Sequence, residues 1–266
     1  MGKAEFHISS DSVLKRLFII LVSCELFILV MDILLNHYRL VRTGAIRRLF
    51  NITREDGISN FLSSFQLLMV GAVLFLVYFL SKKIYDNKSW IEEKGWLILA
   101  CFFTFMGFDD ATKFHERIGT FAKKIAGGGM RSVEDMGSSI FDIFPSYAWQ
   151  IVFGPFFFCM GLFILWYLLK NFKERSTQVL FLGGLSLYVL AVGLDFIEGM
   201  GEAPYEGIAQ ATGSTAKKIR HLSKAVEETM EMFGTTLFLI AFLKHLFFLA
   251  GLHKPLQLFF SDKSSV

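Results

Sequence analysis

The sequence is short of the residues that build disulfide frameworks, linkers and soluble surfaces. Its three cysteines, Cys24, Cys101 and Cys159, all lie in apolar runs, and none forms a Cys-x-x-Cys pair. That excludes a disulfide framework and a thiolate metal site, and leaves them as small hydrophobes. There are four prolines and no repeat, low-complexity tract or Pro-rich linker, so residues 1–266 read as one integral membrane domain. Charged residues are 19% of the chain, against about a quarter in an ordinary soluble domain. The basic ones are spread over every loop and the net charge is only +3, so no nucleic acid is expected as a partner. Glu-x-x-His, His-Glu-x-x-His and Gly-x-Ser-x-Gly are also missing, which removes the common signatures of di-iron proteins, metalloproteases and serine hydrolases. Residues 1–15 contain Glu5 and Asp11, and no small-residue cleavage site ends the first apolar run, so no cleaved signal peptide is expected.

What the chain has in abundance is apolar length. It is 53% hydrophobic, with 31 Phe and a mean hydropathy of +0.49. A helix needs about 20 apolar residues to cross a bilayer. That length predicts an all-α polytopic membrane bundle of about six transmembrane helices, at roughly 16–36, 60–81, 96–116, 147–170, 177–199 and 224–250. Lys15 and Arg16, Lys82 and Lys83, Trp96, and Tyr147 with Trp149 mark the boundaries as membrane interfaces usually are marked. Six spans place both termini on one side, and the basic short loops at 82–95 and 170–176 favour the cytoplasmic side for them. The longer loops 37–59, 117–146 and 200–223 then share the opposite face. Thr120-Phe-Ala-Lys-Lys-Ile125 and Ile140-Phe-Asp-Ile-Phe144 mix apolar and polar residues as interfacial segments do, with Gly127–Gly129 as a flexible break between them. The bilayer is the expected partner; no protein partner is indicated.

The ionisable residues near membrane depth collect on that same face. Asp109, Asp110, Lys113, His115 and Glu116 close the third span, Asp195 and Glu198 close the fifth, and His221, Glu227, Glu228 and Glu231 open the sixth. Asp32, Glu55, Asp56 and Gln66 fall toward it too, whereas Glu25 lies near the middle of the first span. An ionised residue at the centre of a bilayer costs at least ~2.5 kcal/mol, so such a set needs a reason. At ~100° per residue, Asp109 and Glu116 share a face, Asp195 and Glu198 are adjacent, and His221 lies on the arc of Glu227, Glu228 and Glu231. His115 points away from Asp109 unless the helix unwinds near Thr112.

Converging carboxylates stay ionised only when cations or protons compensate them. Lys113, Arg117, Arg220 and Lys224 are too few, so either several of the acids are protonated or a multivalent cation is bound, and a divalent metal is the expected cofactor. Carboxylates with two histidines drawn from facing helices resemble the ligand sets of di-metal bundles. The oxygen-rich set suits Fe, Mn, Mg or Ca, with Zn through the histidines. The expected ligands are Asp109, Asp110, His115, Asp195, Glu198, His221, Glu227 and Glu231, with Glu116 or Glu228 as general base. The acids argue against haem between His115 and His221. Three functions follow as alternatives: a metal-dependent enzyme acting on a lipid or lipophilic substrate near one membrane face, a cation or proton-coupled transporter, or a non-catalytic assembly or sensor protein. The plainer explanation is structural: Asp109 paired with Lys113 four residues on, and Glu227, Glu228 and Glu231 forming a solvated first turn. His245 and His253, beside Lys244 and Lys254, are expected at the membrane surface. Gly183, Gly184, Gly193 and Gly199 are expected to allow close helix contact.

The acidic-Gly segment Glu55-Asp56-Gly57, together with Asp109-Asp110 followed by His115-Glu116, resembles uncharacterised polytopic bacterial membrane proteins. The resemblance covers the second and third spans and implies no activity. Intramembrane hydrolases related to ceramidases also combine Asp and His, but their His-x-x-x-His pair is absent here.

Overall fold

The computed structural model describes residues 7–8, 10–84, 90–126, 140–251 and 256–257; Gly127–Gly129 and His253 lie outside them. Helices dominate the described chain. In order they are α1 (Ser10–Asp32), continued by a π-helical turn (Ile33–His37), α2 (Gly44–Leu49), α3 (Ile58–Ile84), α4 (Trp90–Thr112) and α5 (Phe114–Ala126). Then come α6 (Ile140–Ile143), α7 (Ala148–Asn171), α8 (Arg175–Gly199), a 3-10 turn (Ala203–Tyr205), α9 (Glu206–Thr212) and α10 (Ala216–Leu249). A two-residue antiparallel pairing of His7–Ile8 with Leu256–Gln257 brings the two ends of the chain together.

Five helices are long and apolar enough to cross a membrane: Ser10–His37, Ile58–Ile84, Ala148–Asn171, Arg175–Gly199 and Ala216–Leu249. This is the pattern of an integral membrane protein. The expected third span, α4, is not among them. Charges at Glu92, Glu93 and Lys94 and at Asp109 and Asp110 leave it uncharged only from Gly95 to Phe108, roughly 21 Å at ~1.5 Å per residue. It nevertheless runs antiparallel along α3, since a Cβ on Gly107 would meet the Leu68 backbone nitrogen at 3.0 Å and Lys94 Nζ reaches the Tyr78 hydroxyl at 3.4 Å.

Two clusters hold the bundle. The larger lies away from the acids and joins α3, α4, α7, α8 and α10 through Val70, Leu74, Trp96, Leu99, Leu168, Phe181 and Phe242. His245 belongs to this packing and not to the membrane surface: it is buried, stacked on Trp96 at 4.8 Å and edge-on to Phe172 at 5.1 Å. Its ring lies on the inward face of α10, where aromatic contacts outweigh its nearness to the chain end. The smaller cluster, Ile28, Ile52, Ala225 and Met232, sits where α1 and α10 meet the loop before α3. The three cysteines are on outer helix faces and unpaired.

Of the four glycines expected at helix contacts, Gly199 is pressed against Ser146 and Tyr147 before α7, Gly183 stands at ordinary contact distance from Leu237, and Gly184 is wedged between α8 and α10. A Cβ there would meet Phe238 Cε1 at 2.8 Å and the Gly234 carbonyl at 2.9 Å, whereas Gly193 has nothing within 4 Å. Packing, and not water exclusion, drives such contacts in lipid. Gly184→Leu is therefore expected to cost about 1–3 kcal/mol by overpacking, and Gly193→Leu almost nothing. Thermal unfolding of both variants in detergent checks this, and equal melting temperatures would refute it.

Candidate functional site

The site forms where α4 ends. Lys113 adopts a left-handed backbone (φ 52°), uncommon for a residue with a side chain, and this breaks the helix between Thr112 and Phe114. The break turns His115 back on Asp109. The His115 backbone N–H donates to Asp109 Oδ1 at 2.8 Å and its ring Nδ1 meets Oδ2 at 2.5 Å. A carboxylate facing Nδ1 accepts the hydrogen that this nitrogen carries and fixes the orientation of the ring. Trp149 closes over the ring edge-on at 4.7 Å. The i,i+4 pairing of Asp109 with Lys113 does not form, because the broken helix sends the lysine elsewhere.

Lys113 instead faces Asp110, Glu116, Glu228 and Glu231, and its side chain is only 16% exposed. Asp110 also accepts a hydrogen bond from the Ser64 hydroxyl of α3 at 2.6 Å. Alongside lies a second group, in which Asp195, Glu198 and Glu227 each offer a carboxylate oxygen within 4.8 Å of the others. Arg220 Nη2 donates to Glu198 Oε1 at 2.8 Å, Lys224 Nζ lies 3.6 Å from Glu198 Oε2, and the Tyr147 hydroxyl donates to that same oxygen. Gln150 Nε2 donates to Asp195 Oδ2 at 2.9 Å. The two groups are electrostatically coupled, since Glu231 and Glu116 both lie within electrostatic reach of Asp195. Asp110, Glu116, Asp195, Glu198, Glu227, Glu228 and Glu231 thus share Lys113, Lys224 and Arg220.

α10 begins eight residues earlier than the expected span, so Glu227, Glu228 and Glu231 lie in its interior turns and not in a solvated first turn. Glu227 is buried, and its Oε2 has no hydrogen-bond partner; neither has Gln150 Oε1. Buried oxygens without donors next to three carboxylates are what a hard cation satisfies.

His221 is turned to another partner. Its Nε2 meets Asp32 Oδ2 at 3.1 Å, while Asp32 Oδ1 accepts from Ile52 N–H at 3.2 Å and Asn36 Nδ2 at 3.0 Å. This buried carboxylate ties the loop before α3 to α1 and α10. In the same loop, Arg48 and Arg54 beside Asp56 hold its carboxyl down at about 2. Gly57 is pressed against it, since a Cβ would stand 3.1 Å from the Asn51 carbonyl. The Glu55-Asp56-Gly57 segment is therefore a clasp that presents Glu55 outward.

Of the residues selected by sequence, the structure gathers Asp195, Glu198 and Glu227 most tightly and sets Asp110, Glu116, Glu228 and Glu231 around Lys113. It diverts His115 to Asp109 and His221 to Asp32. Gln150 and Tyr147 were not selected as site residues. The available signal was a lone amide directly after Trp149 at the head of an apolar run. Outside this centre, an open pocket of ≈ 320 Å³ is lined by Glu55, Lys113, Glu116, Arg117, Thr120, Phe121 and Lys124.

A family model described as Domain of unknown function (DUF8692) matches residues 17–246. No curated protein and no solved structure matches the chain.

Proposed function

We propose, for a chain that belongs to the DUF8692 family, a membrane-embedded divalent-metal protein that acts as a metal-dependent enzyme on a lipid or lipophilic substrate. Asp195, Glu198 and Glu227 are its ion ligands. The observation that carries this reading is their approach to within 4.8 Å, with Glu227 Oε2 and Gln150 Oε1 left unpartnered beside them. The donors are all oxygen, and both nearby histidines face carboxylates, which favours Mg, Mn or Ca over Zn. Such an ion polarises an ester or phosphoryl oxygen and lowers the pKa of bound water. Of the two candidate bases, Glu116 is the one on the pocket wall, so it would be the group that accepts a proton there. Glu228 lies between Lys113 and Lys224 and keeps both cations at the centre. In this reading the termini are cytoplasmic and the acidic centre is at the opposite face, supported by Lys82, Lys83, Lys170 and Lys173 around the short loops.

A second reading, cation or proton transport, draws on Glu25. Its carboxylate is fully buried between α1, α3 and α10, where Gln66 Nε2 donates to Oε1 at 2.7 Å and the Thr236 hydroxyl at 2.5 Å, while Oε2 has no partner. Intramembrane acids of this kind mark ion paths.

Elemental analysis separates the two readings. Detergent-purified protein is expected to carry one or two equivalents of a divalent metal, and Asp195→Asn with Glu227→Gln to lose at least about nine-tenths of it. Both substitutions keep side-chain shape, so the fold is expected to survive. A metal-free wild type whose melting temperature is unmoved by millimolar Mg²⁺, Mn²⁺ or Ca²⁺ would sink the metalloenzyme and leave transport as the better account.

A further inference from the structure

The pocket beside the acidic centre has a polarity that the metal ligands do not explain. Along α5, Arg117, Thr120 and Lys124 recur every three or four residues and form one stripe, which with Lys113 just before the helix is the helix side of the pocket. Glu55 lines it as well, presented by the clasp before α3. Lys113 is committed to the acids at the inner end. Among the described residues, neither Arg117 nor Lys123 nor Lys124 has a carboxylate partner. Next to these cations α5 exposes Phe114, Phe121 and Ile125, at 45%, 60% and 64%. An amphipathic helix that carries such cations beside exposed apolar side chains suits the boundary between headgroups and acyl chains.

The docking of α5 sets its depth. A Cβ on Gly119 would stand 2.5 Å from the Trp149 backbone nitrogen, so the helix is pressed onto the first turn of α7. Tyr147 and Trp149 open that turn, and such aromatic residues mark the membrane interface. The stripe therefore lies at headgroup level, with its inner end at Glu116 and the carboxylate centre.

We propose that this groove holds a glycerophospholipid headgroup, with the phosphate between Arg117 and Lys124 and the acyl chains against Phe114, Phe121 and Ile125. Glu55, across the groove, selects an outer group that can donate a hydrogen bond. An ethanolamine ammonium or a glycerol hydroxyl does so; the trimethylammonium of choline has no N–H to give. The proposal names the substrate class for the enzyme reading and rests on it for that role, but headgroup binding itself is independent of the metal.

The test is lipid retention by the full chain, read by native mass spectrometry after extraction from bilayers of equimolar phosphatidylethanolamine, phosphatidylglycerol and phosphatidylcholine. Wild type is expected to retain the first two at least about fivefold over the third. Arg117→Glu with Lys124→Glu, both at exposed positions, is expected to abolish that preference without lowering the melting temperature. Asp195→Asn with Glu227→Gln is expected to keep it, so loss of metal with preserved lipid selection separates the two claims. Equal retention of all three lipids by wild type, or an unchanged preference in the double charge reversal, would overturn the proposal. Displacement of the lipid by water-soluble glycerophosphoethanolamine at the concentration that suffices for the lipid itself would refute the role of the acyl contacts.

Discussion

Lys113→Met is expected to lower stability by about 3–5 kcal/mol, the cost of leaving buried charges without their partner. The lysine serves Asp110, Glu116, Glu228 and Glu231 together, on three helices, and of those four it shares Glu228 with Lys224. Thermal unfolding in detergent reads the loss. Millimolar Mg²⁺ or Mn²⁺ is expected to restore part of it, since a divalent ion can replace the missing charge. Lys113→Arg keeps the charge and is expected to stay near wild type. Lys113→Gly removes both the charge and the left-handed strain at φ 52°. Were the glycine variant as stable as wild type, backbone strain and not charge would govern the position, and the electrostatic account would be wrong.

The second large effect is expected at Glu25. Glu25→Ala removes the acceptor of the Gln66 amide and the Thr236 hydroxyl, and opens a cavity where three helices meet. Large-to-small changes at a fully buried site cost about 2–5 kcal/mol, and a buried donor left without an acceptor adds about 1–3. Glu25→Gln retains the shape and an acceptor oxygen, so it is expected to lie within about 1 kcal/mol of wild type. The pair of melting temperatures separates two roles for this carboxylate. If the glutamine variant fell as far as the alanine variant, the site would need the carboxylate itself, and the second, transport reading would gain.

The helical membrane class was legible because it is local. An apolar run of about 20 residues reports its own length and its own boundaries, whatever it packs against. The same locality explains the exception at α4, whose charges at both ends were visible but whose long contact with α3 was not. The amphipathic character of α5 could be read from Thr120 to Ile125, since such a face belongs to one helix. His245 was misplaced because its neighbours in sequence are basic and its neighbours in space, Trp96 and Phe172, come from two other helices.

For the site, sequence by itself determined that the acids collect at one end of the bundle, because position along a helix follows from residue number. Angular spacing further related residues on one helix, such as Asp195 to Glu198 and Glu227 to Glu231. It could not relate one helix to the next. The rotation of α8 against α10 depends on the contact at Gly184 and Gly234, and that rotation brings Asp195 and Glu198 against Glu227. The left-handed turn at Lys113 redirects His115 to Asp109 and frees the lysine for the other acids, and no periodic pattern encodes a single broken turn. Tertiary structure thus decided which carboxylates meet, which histidines are diverted, and that Gln150 and Tyr147 join the centre. Those outcomes depend on the packing of several helices at once.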